Sequence, residues 1–266
     1  MSAKYSLESD LQLALELAAK ADEISMARYL AQDLVVSTKP DNTPVTDADK
    51  ATEEALRKHL AQERPADGLV GEEFGNEKQD AARYWVIDPI DGTKNFMRGV
   101  PTWATLIGLV ERQDDGSEKV IVGAVSAPAL NRRWYASTGN GAFTTLNKGT
   151  PRKIEVSKVS EIANASIAYS DFQGWGDRLV KFQNLISACT RSRGYGDFWS
   201  HMLVAEGAVD IAAEPSLALW DMAALDVIVR EAGGTFSSLI GEVGPFGGSG
   251  ISTNTLLHSK VMAALN

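Results

Sequence analysis

The spacing of hydrophobic and polar positions predicts two helices near the start of the chain. Leucines and alanines recur at helical spacing between residues 7 and about 34, with charged side chains on the opposite face. A loop rich in Pro, Asp and Asn follows at residues 39–44. A second amphipathic helix is predicted from residue 46 to about residue 62, where Ala and Leu again share one face.

Short apolar runs predict the strands of the first half of the chain. They lie at residues 68–71, 84–87, 104–111, 119–126 and 132–137. The connection at residues 113–117 has the composition of a hairpin loop. This half is therefore expected to combine two helices with a meandering antiparallel sheet.

Helices and strands alternate in the second half. Strands are predicted at residues 166–170, 191–195, 209–213 and 235–236, and helices at residues 177–188, 199–206 and 220–232, with a last helix capped by Asn254 and ending at residue 265. Gly233 and Gly234 supply a C-terminal stop for the third of these helices. The glycine-rich stretch 244–250 lacks the Gly-Lys-Ser/Thr ending of a phosphate-binding P-loop and is predicted to be a surface loop.

These patterns together predict an α+β / α/β layered sandwich of alternating helix and sheet layers. We expect an N-terminal α+β part at residues 1–147 and a C-terminal α/β part at residues 148–266. No long linker separates them, so the two parts are expected to pack as one compact unit.

Composition and charge narrow the function. The chain has 266 residues and a formal net charge of −9, which argues against nucleic-acid binding because that needs a basic face. An acidic protein can still handle phosphate esters when bound cations set the local charge. One cysteine, Cys189, excludes an internal disulfide framework and favours a reducing compartment. No stretch resembles a membrane span, and residues 1–6 lack the apolar region of a signal peptide, so a cytoplasmic location is expected.

The strongest candidate for chemistry lies where the strand at residues 84–87 meets polar residues. Asp88 and Asp91 follow this strand, with Pro89 expected to end it, and Gly92 permits a tight turn. A helix is expected to begin near Thr93. Two carboxylates just ahead of free backbone N–H groups suit a site that holds metal ions and phosphate together. The alternative is a surface turn, because Asp, Pro and Gly favour turns.

Residues 88–93, D-P-I-D-G-T, resemble the D-P-x-D-G-T signature of the inositol monophosphatase family of Mg²⁺-dependent phosphatases. Further elements resemble the same family and occur in its order: V-T-x-x-D at residues 45–49, G-E-E at 71–73 and W-D-x-A-A at 220–224. The resemblance extends over roughly residues 10 to 260 and several separate motifs, which makes a chance match improbable.

The resemblance implies a site and its cofactor. The implied metal ligands are Glu72, Asp88, the backbone carbonyl of Ile90, Asp91 and Asp221; the implied catalytic residues are Asp49, Glu72 and Thr93; the implied substrate contacts are Glu72, Asp91, Gly92, Thr93, Arg193, Asp197, Glu214 and Asp221. Two or three Mg²⁺ ions would neutralise carboxylates that otherwise repel one another, and would activate a water molecule. The family resemblance also implies a homodimer.

The residues alone leave simpler roles open for three of these carboxylates. Asp49 lies three positions after Thr46 and could complete a helix capping box. Asp221 could stabilise the first turn of a helix through the helix dipole. Glu72 could lie in a solvated loop. The three histidines show no spacing typical of zinc ligands.

The leaving group depends on residues 191–201, whose R-x-x-G-D-x-W-x-H pattern resembles the histidinol-phosphatase members of the family. Inositol-specific members typically carry a small neutral residue where this chain has Asp197. Asp197 and Glu214 could pair with an ammonium or a protonated imidazole, so the predicted reaction is Mg²⁺-dependent hydrolysis of L-histidinol phosphate by metal-activated water. Alternatives are an inositol-1-monophosphatase, another small-metabolite phosphatase of the family, and a non-catalytic binding protein. The structural alternatives are core packing of Phe198 and Trp199 at a helix start and a surface ion pair between Arg193 and Asp197.

Overall fold

The computed structural model describes residues 5–40 and 42–266, and within them the chain forms seven α-helices and fifteen strands. The helices are α1 (Leu7–Arg28), α2 (Asp47–Glu63), α3 (Thr93–Met97), α4 (Leu179–Ala188), α5 (Asp197–Ala205), α6 (Leu219–Glu231) and α7 (His258–Leu265). The strands are β1 (Val36–Thr38), β2 (Pro44–Thr46), β3 (Gly68–Gly71), β4 (Gly75–Glu77), β5 (Arg83–Asp91), β6 (Ala104–Arg112), β7 (Glu118–Ala127), β8 (Arg132–Ser137), β9 (Ala142–Leu146), β10 (Arg152–Ile154), β11 (Ser166–Ala168), β12 (Arg191–Arg193), β13 (Ile211–Glu214), β14 (Gly234–Ser237) and β15 (Gly250–Asn254). Asp41 of the predicted loop 39–44 and the first four residues of the N-terminal stretch lie outside the described residues.

Eight strands form the larger sheet, in the order β10-β9-β8-β7-β6-β5-β3-β4. Neighbouring strands run antiparallel except β3 and β5, which are parallel. The central strands are apolar along most of their length and buried on both faces. A sheet of this kind needs a cover on each side.

Five strands form the smaller sheet, in the order β12-β11-β13-β15-β14. The first three of these are parallel, and β15 runs antiparallel to both of its neighbours. β1 and β2 form a separate antiparallel pair. The carboxyl ends of β12, β11 and β13 therefore meet at one edge of the smaller sheet.

Helices cover both faces of both sheets, so the predicted layered sandwich is confirmed. α1 and α2 pack on one face of the larger sheet, and α5 and α6 pack on its other face. α5 and α6 also contact the smaller sheet, whose far face is covered by α4 and α7. The result is five alternating layers: helices, sheet, helices, sheet, helices.

Two glycines in the larger sheet allow α6 to approach it closely. A Cβ at Gly123 would lie 2.5 Å from Val227 Cγ1 and 2.7 Å from the Ala224 carbonyl oxygen. A Cβ at Gly108 would lie 2.9 Å from Ala223 Cβ. The backbone of α6 therefore rests directly on β6 and β7.

Two predicted element ends in the first half were wrong. The first helix ends at Arg28 rather than near residue 34, because the Arg28 guanidinium pairs with Asp33 and Asp47 and Leu30 adopts a left-handed φ of 65°. Pro89 does not end its strand: β5 continues to Asp91 through a register shift. Proline is tolerated there because an irregular strand position requires no N–H donor.

Strand β15 was not predicted, because its Ser, Thr and Asn residues resemble loop composition. Gly250, expected in a surface loop, begins this strand, and all five of its residues are buried between β13 and β14. Asn254 does act as a cap, but for the turn before α7: its side-chain oxygen accepts from the backbone N–H of Leu257 at 3.0 Å. The helix itself begins at His258.

The larger sheet extends past residue 147, because β10 (Arg152–Ile154) pairs with β9. The division into parts at residues 1–147 and 148–266 stays a prediction. Within the described residues, none of the helices combines the length and apolarity needed to cross a membrane.

Candidate active site

An extra residue in β5 brings Asp88 and Asp91 to the same side of the larger sheet. Asp88 pairs with Leu106 and Asp91 with Ala104, so β5 advances three residues while β6 advances two. Positions three apart in a regular strand point to opposite faces. The bulge reverses the face of Asp91, and an oxygen of each carboxylate lies within 4.8 Å of the other.

Parallel pairing of β3 with β5 places Glu72 beside this pair. Gly71 is in register with Ile87, so Glu72, the first residue after β3, lies beside Asp88 of β5. The turn after Glu72 is held by a residue of α2: the fully buried carboxylate of Glu53 accepts from the backbone N–H groups of Glu73 at 2.7 Å and Phe74 at 3.1 Å. The position of Glu72 therefore depends on contacts from two elements.

Asp221 reaches the site from the first turn of α6. Its Oδ2 accepts from the backbone N–H of Ala218 at 2.7 Å, which completes the start of the helix. One oxygen each from Asp88, Asp91 and Asp221 lies within 4.8 Å of the others. The role in the first helical turn that the sequence left open and the place in the acidic cluster thus belong to the same side chain.

Burial and mutual repulsion hold these carboxylates in an unusual state. Burial, followed by the charges of Glu72, Asp91 and Asp221, raises the pKa of Asp88 well above its ordinary value. Burial raises the pKa of Asp91 in the same way, with the charges of Asp197 and Asp221 adding to it. The pKa of Asp221 is raised to about 7, again mainly by burial. Without a cation the cluster favours protonated carboxyls.

Backbone N–H groups fix the orientation of the cluster. The N–H of Ile90 donates to Asp88 Oδ1 at 2.9 Å, and the N–H of Phe198 donates to Asp91 Oδ2 at 2.7 Å. Hydrogen bonds from backbone donors to carboxylates are strong and directional. Because Phe198 belongs to α5, this second bond also joins the larger sheet to α5 at the site.

Asp49 and Thr93 form a second pair beside the cluster. Asp49 completes the predicted capping box, since its Oδ2 accepts from the N–H of Thr46 at 2.8 Å. Its Oδ1 lies 3.4 Å from Thr93 Oγ1, which is also 3.1 Å from the Ile90 carbonyl oxygen. Burial raises the pKa of Asp49 to about 6. Asp49 therefore has its structural role and also faces Thr93.

Lys39, which the sequence did not single out, lies against the acidic residues after β3. Its Nζ is 2.6 Å from Glu72 Oε1 and 2.6 Å from Glu73 Oε1. Burial alone would lower the pKa of Lys39, but the hydrogen bonds to the two glutamates raise it overall. One ammonium thus offsets part of the negative charge at this edge of the site.

A cavity of about 170 Å³ opens next to Asp91 and Asp221. Its lining combines two further carboxylates, Asp197 and Glu214, with apolar side chains that include Phe198 and Leu217. The structure therefore brings the predicted leaving-group residues to the predicted metal ligands.

Asp197 and Glu214, the two further carboxylates of the cavity, have neutral hydrogen-bond donors among the described residues. Asn95 Nδ2 donates to Asp197 Oδ2 at 3.1 Å, and Ser170 Oγ donates to Glu214 Oε1 at 2.8 Å. Burial raises the pKa of Glu214 to about 8 and also raises the pKa of Asp197, although the charge of Lys94 acts in the opposite direction on Asp197. An approaching cation would compensate both carboxylates.

Arg193 is placed differently from the other predicted residues. Its side chain is exposed and donates to the carbonyl oxygen of Ser192 at 2.7 Å, and it does not line the cavity. No ion pair joins it to Asp197 within the described residues, so that structural alternative is wrong. Its contact with substrate stays a prediction.

Gly92 and Ile90 lie at the turn that the motif predicts. Gly92 has φ 83° and leads from β5 into α3, a conformation that a residue with a Cβ adopts at a cost. Ile90 is fully buried with its carbonyl beside Thr93.

His201 lines the cavity wall but is fully buried, with Nδ1 2.7 Å from Ser252 Oγ. Burial lowers the pKa of His201 to about 4.

Four residues that hold the site were missed from the sequence: Lys39, Glu53, Asn95 and Ser170. Each acts through a partner that is distant along the chain, and local spacing cannot reveal such a pair. Asn95 alone offered a signal, because it lies two residues after the D-P-I-D-G-T motif.

The donor set suits a hard divalent cation. Carboxylate oxygens that converge within 4.8 Å, with pKa values raised by burial and repulsion, gain most from a positive charge placed among them. Mg²⁺ and Ca²⁺ prefer oxygen ligands of this kind, whereas the softer metals favour His and Cys.

Comparison with known proteins agrees with this geometry. The sequence matches the profile of the inositol monophosphatase family over residues 6–266. It is 53% identical to a histidinol-phosphatase of Mycobacterium tuberculosis, over 97% of this chain and 98% of that protein. It is 52% identical to a histidinol-phosphatase of Streptomyces coelicolor, over 97% of each. The solved structure of an inositol monophosphatase from Zymomonas mobilis superimposes with a TM-score of 0.85 at 29% identity, over 98% of this chain and 99% of that one.

Proposed function

The chain belongs to the inositol monophosphatase family, and from that premise we propose that it hydrolyses L-histidinol phosphate to L-histidinol and phosphate with the help of Mg²⁺. It is a phosphoric monoester hydrolase, as the family and the two histidinol-phosphatase relatives indicate. The resemblance seen in its sequence motifs is thereby confirmed.

The acidic cavity is the observation that supports this choice of substrate. Asp197 and Glu214 line the space beside the metal-binding carboxylates, and their partners Asn95 and Ser170 are neutral. L-Histidinol carries an ammonium group and an imidazole that can be protonated. Either positive group would offset the cost of burying two ionised carboxylates. myo-Inositol carries only hydroxyl groups, so it offers no positive charge that would favour the ionised forms of Asp197 and Glu214.

We propose that Glu72, Asp88, Asp91 and Asp221, with the Ile90 carbonyl, hold two or three Mg²⁺ ions. Bound Mg²⁺ would neutralise the cluster, draw in the phosphate oxygens and lower the pKa of a bound water. The raised pKa values of Asp88 and Asp91 support a cation here, because it would restore their ionised forms.

Asp49 and Thr93 are proposed to orient the attacking water and hold its proton. Their side-chain oxygens are 3.4 Å apart, and burial keeps the pKa of Asp49 at about 6, close to the range in which a general base works. Thr46 fixes the other oxygen of Asp49, which leaves Oδ1 directed to Thr93. The left-handed turn at Gly92 would let backbone N–H groups approach the phosphate.

The proposal is tested by measuring phosphate release with Mg²⁺ from L-histidinol phosphate and from myo-inositol-1-phosphate under the same conditions. We expect kcat/KM for L-histidinol phosphate to exceed that for the inositol ester by at least about a hundredfold, as expected for loss of polar partners in a buried site. A preference for the inositol ester would assign Asp197 and Glu214 to a structural role. The absence of turnover with either ester would favour another small phosphate ester or a binding function.

A homodimer and a cytoplasmic location are further proposals that rest on the family resemblance and on the single half-buried cysteine. Light scattering of the purified protein at micromolar concentration would test the dimer. A monomer that retains full activity would contradict the proposed homodimer.

A further inference from the structure

The crevice at the end of the smaller sheet follows from its strand order. β11 lies between β12 and β13, and all three are parallel. The chain passes from β11 through α4 to β12 on one side, then through α5 to β13 on the other. In parallel sheets a crevice opens at the carboxyl ends of the strands where the connections diverge, and ligands bind there. The residues just past β11 lie at that point.

Ser170 occupies this place, and its hydroxyl joins the two carboxylates of the cavity. Ser170 Oγ accepts from the backbone N–H of Asp197 at 3.1 Å and donates to Glu214 Oε1 at 2.8 Å. A serine hydroxyl can donate one hydrogen bond, and here Glu214 accepts it. Asp197 comes after β12 and Glu214 ends β13, so one side chain just past the central strand bridges residues at the ends of both neighbouring strands.

The backbone conformation at Asp197 depends on hydrogen bonds such as the one that its N–H donates to Ser170 Oγ. Asp197 has φ 49°, a left-handed conformation that is unfavourable for a residue with a Cβ. Gly196 directly before it also has a positive φ, and a Cβ there would approach Ser170 Oγ to 3.3 Å. Asn95 holds the Asp197 carboxylate from the other side of the cavity. Ser170 holds the backbone, and Asn95 holds the carboxylate.

We propose that Ser170 is a positioning residue for leaving-group recognition. It sets the separation and direction of the Asp197 and Glu214 carboxylates so that both accept hydrogen bonds from the cationic groups of the alcohol. Among the described residues its hydroxyl bonds to Asp197 and Glu214 and not to the proposed metal ligands. The inference rests on the proposed function, because it concerns how that substrate's alcohol is recognised.

Ser170→Ala tests the inference, with Ser187→Ala as a matched control. Ser187 lies on the exposed side of α4 and donates to the Gln183 carbonyl oxygen within the same helix. We expect Ser170→Ala to lower kcat/KM for L-histidinol phosphate about tenfold, chiefly through a higher KM, and to weaken inhibition by the product L-histidinol to a similar extent. Turnover of p-nitrophenyl phosphate, which has no cationic group, should change less than about twofold. Ser187→Ala should leave all of these values unchanged.

Ser170→Thr supplies the rescue, because it keeps the hydroxyl. Recovery of most of the L-histidinol phosphate activity in this variant would support a role for the hydroxyl itself. An equal loss on both substrates in Ser170→Ala, or no loss on either, would overturn the inference. The substrate preference of the wild-type protein tests the proposed function separately from the role of Ser170. If wild type does not prefer L-histidinol phosphate, both the proposed function and the inference fail. If wild type has this preference and Ser170→Ala keeps it, only the inference fails.

Discussion

Asp88→Asn should make the metal-free protein more stable while removing its response to Mg²⁺. Asp88 is buried beside Asp91 and Asp221, and its Oδ1 accepts from the N–H of Ile90. Asparagine has nearly the same shape and keeps an oxygen for that hydrogen bond. The substitution therefore removes charge from the cluster with little change in packing.

The expected size follows from the oxygen separations. Two unit charges 4.8 Å apart repel by about 3.5 kcal/mol at an effective dielectric constant of about 20. Because the oxygens lie within this distance, the two pairs that include Asp88 together repel by at least about 7 kcal/mol when all three carboxylates are ionised. The carboxyls relieve part of this by taking up protons, and the new amide loses about 1–3 kcal/mol if it is left without partners. A net gain of about 2–4 kcal/mol at pH 8 remains.

The assay is chemical unfolding of wild type and variant at pH 8, once in EDTA and once in saturating Mg²⁺. Wild type should gain about 2.7 kcal/mol when Mg²⁺ is present at a hundred times its dissociation constant. Asp88→Asn should gain nothing, and its phosphatase turnover should be lost.

Asp226→Asn is the matched control for this change. Asp226 is also a buried aspartate, but it pairs with Arg230 at 2.9 and 2.7 Å, away from the cluster. Removing one member of that pair should destabilise the protein by a few kcal/mol in both media and leave the Mg²⁺ response intact. An Asp88→Asn variant that is less stable than wild type in EDTA, or that still responds to Mg²⁺, would refute the assignment of Asp88 to the metal site.

Two further changes test other parts of the structure. Because burial raises the pKa of Glu214 from 4.5 to about 8, the folded protein keeps a proton that the unfolded chain releases, and the stability tied to this group falls as pH rises from about 4.5 to 8. The unfolding free energy of Glu214→Gln should therefore fall less steeply with pH than that of wild type over this window. The two slopes should differ by at most about 1.4 kcal/mol per pH unit. Equal pH slopes, measured by urea unfolding, would exclude a buried proton on Glu214. Gly123→Ala would place a Cβ 2.7 Å from the Ala224 carbonyl oxygen. We expect it to lower the free energy of unfolding by about 1–3 kcal/mol and to remove most turnover, because α6 carries Asp221. An unchanged thermal midpoint and activity would contradict the close packing of α6 on the sheet.

The sequence was sufficient for most of the longer helices and strands and for the residues that converge, but not for β15 or for short strands such as β4 and β10. Apolar periodicity and turn residues are local, so β3, β8 and α6 lie within a residue or two of their predicted places. Asp88, Asp91 and Asp221 were found through motifs, and the structure brings them together. The parts that failed depend on the partner strand rather than on the chain itself.

The bulge in β5 illustrates this limit. Asp88 and Asp91 would point apart in a regular strand, and only pairing with β6 reveals the extra residue between them. Strand β15 was missed for a related reason, since Ser252 and Thr253 are buried by neighbours on both sides and not by their own polarity. The bridge made by Ser170 joins residues at the carboxyl ends of three strands, which no local pattern encodes.

The close seat of α6 on Gly108 and Gly123 also affects how the protein is made. β6 and β7 leave the ribosome long before residues 219–231, so the apolar face that α6 will cover stays open during most of translation. Exposed strands of this kind are prone to aggregate. A chain stopped before Asp221 would carry Asp88 and Asp91 but not the residue that completes their cluster. Phosphatase activity should therefore appear only when synthesis is nearly finished, and C-terminal truncations should fail as insoluble chains rather than as weak enzymes.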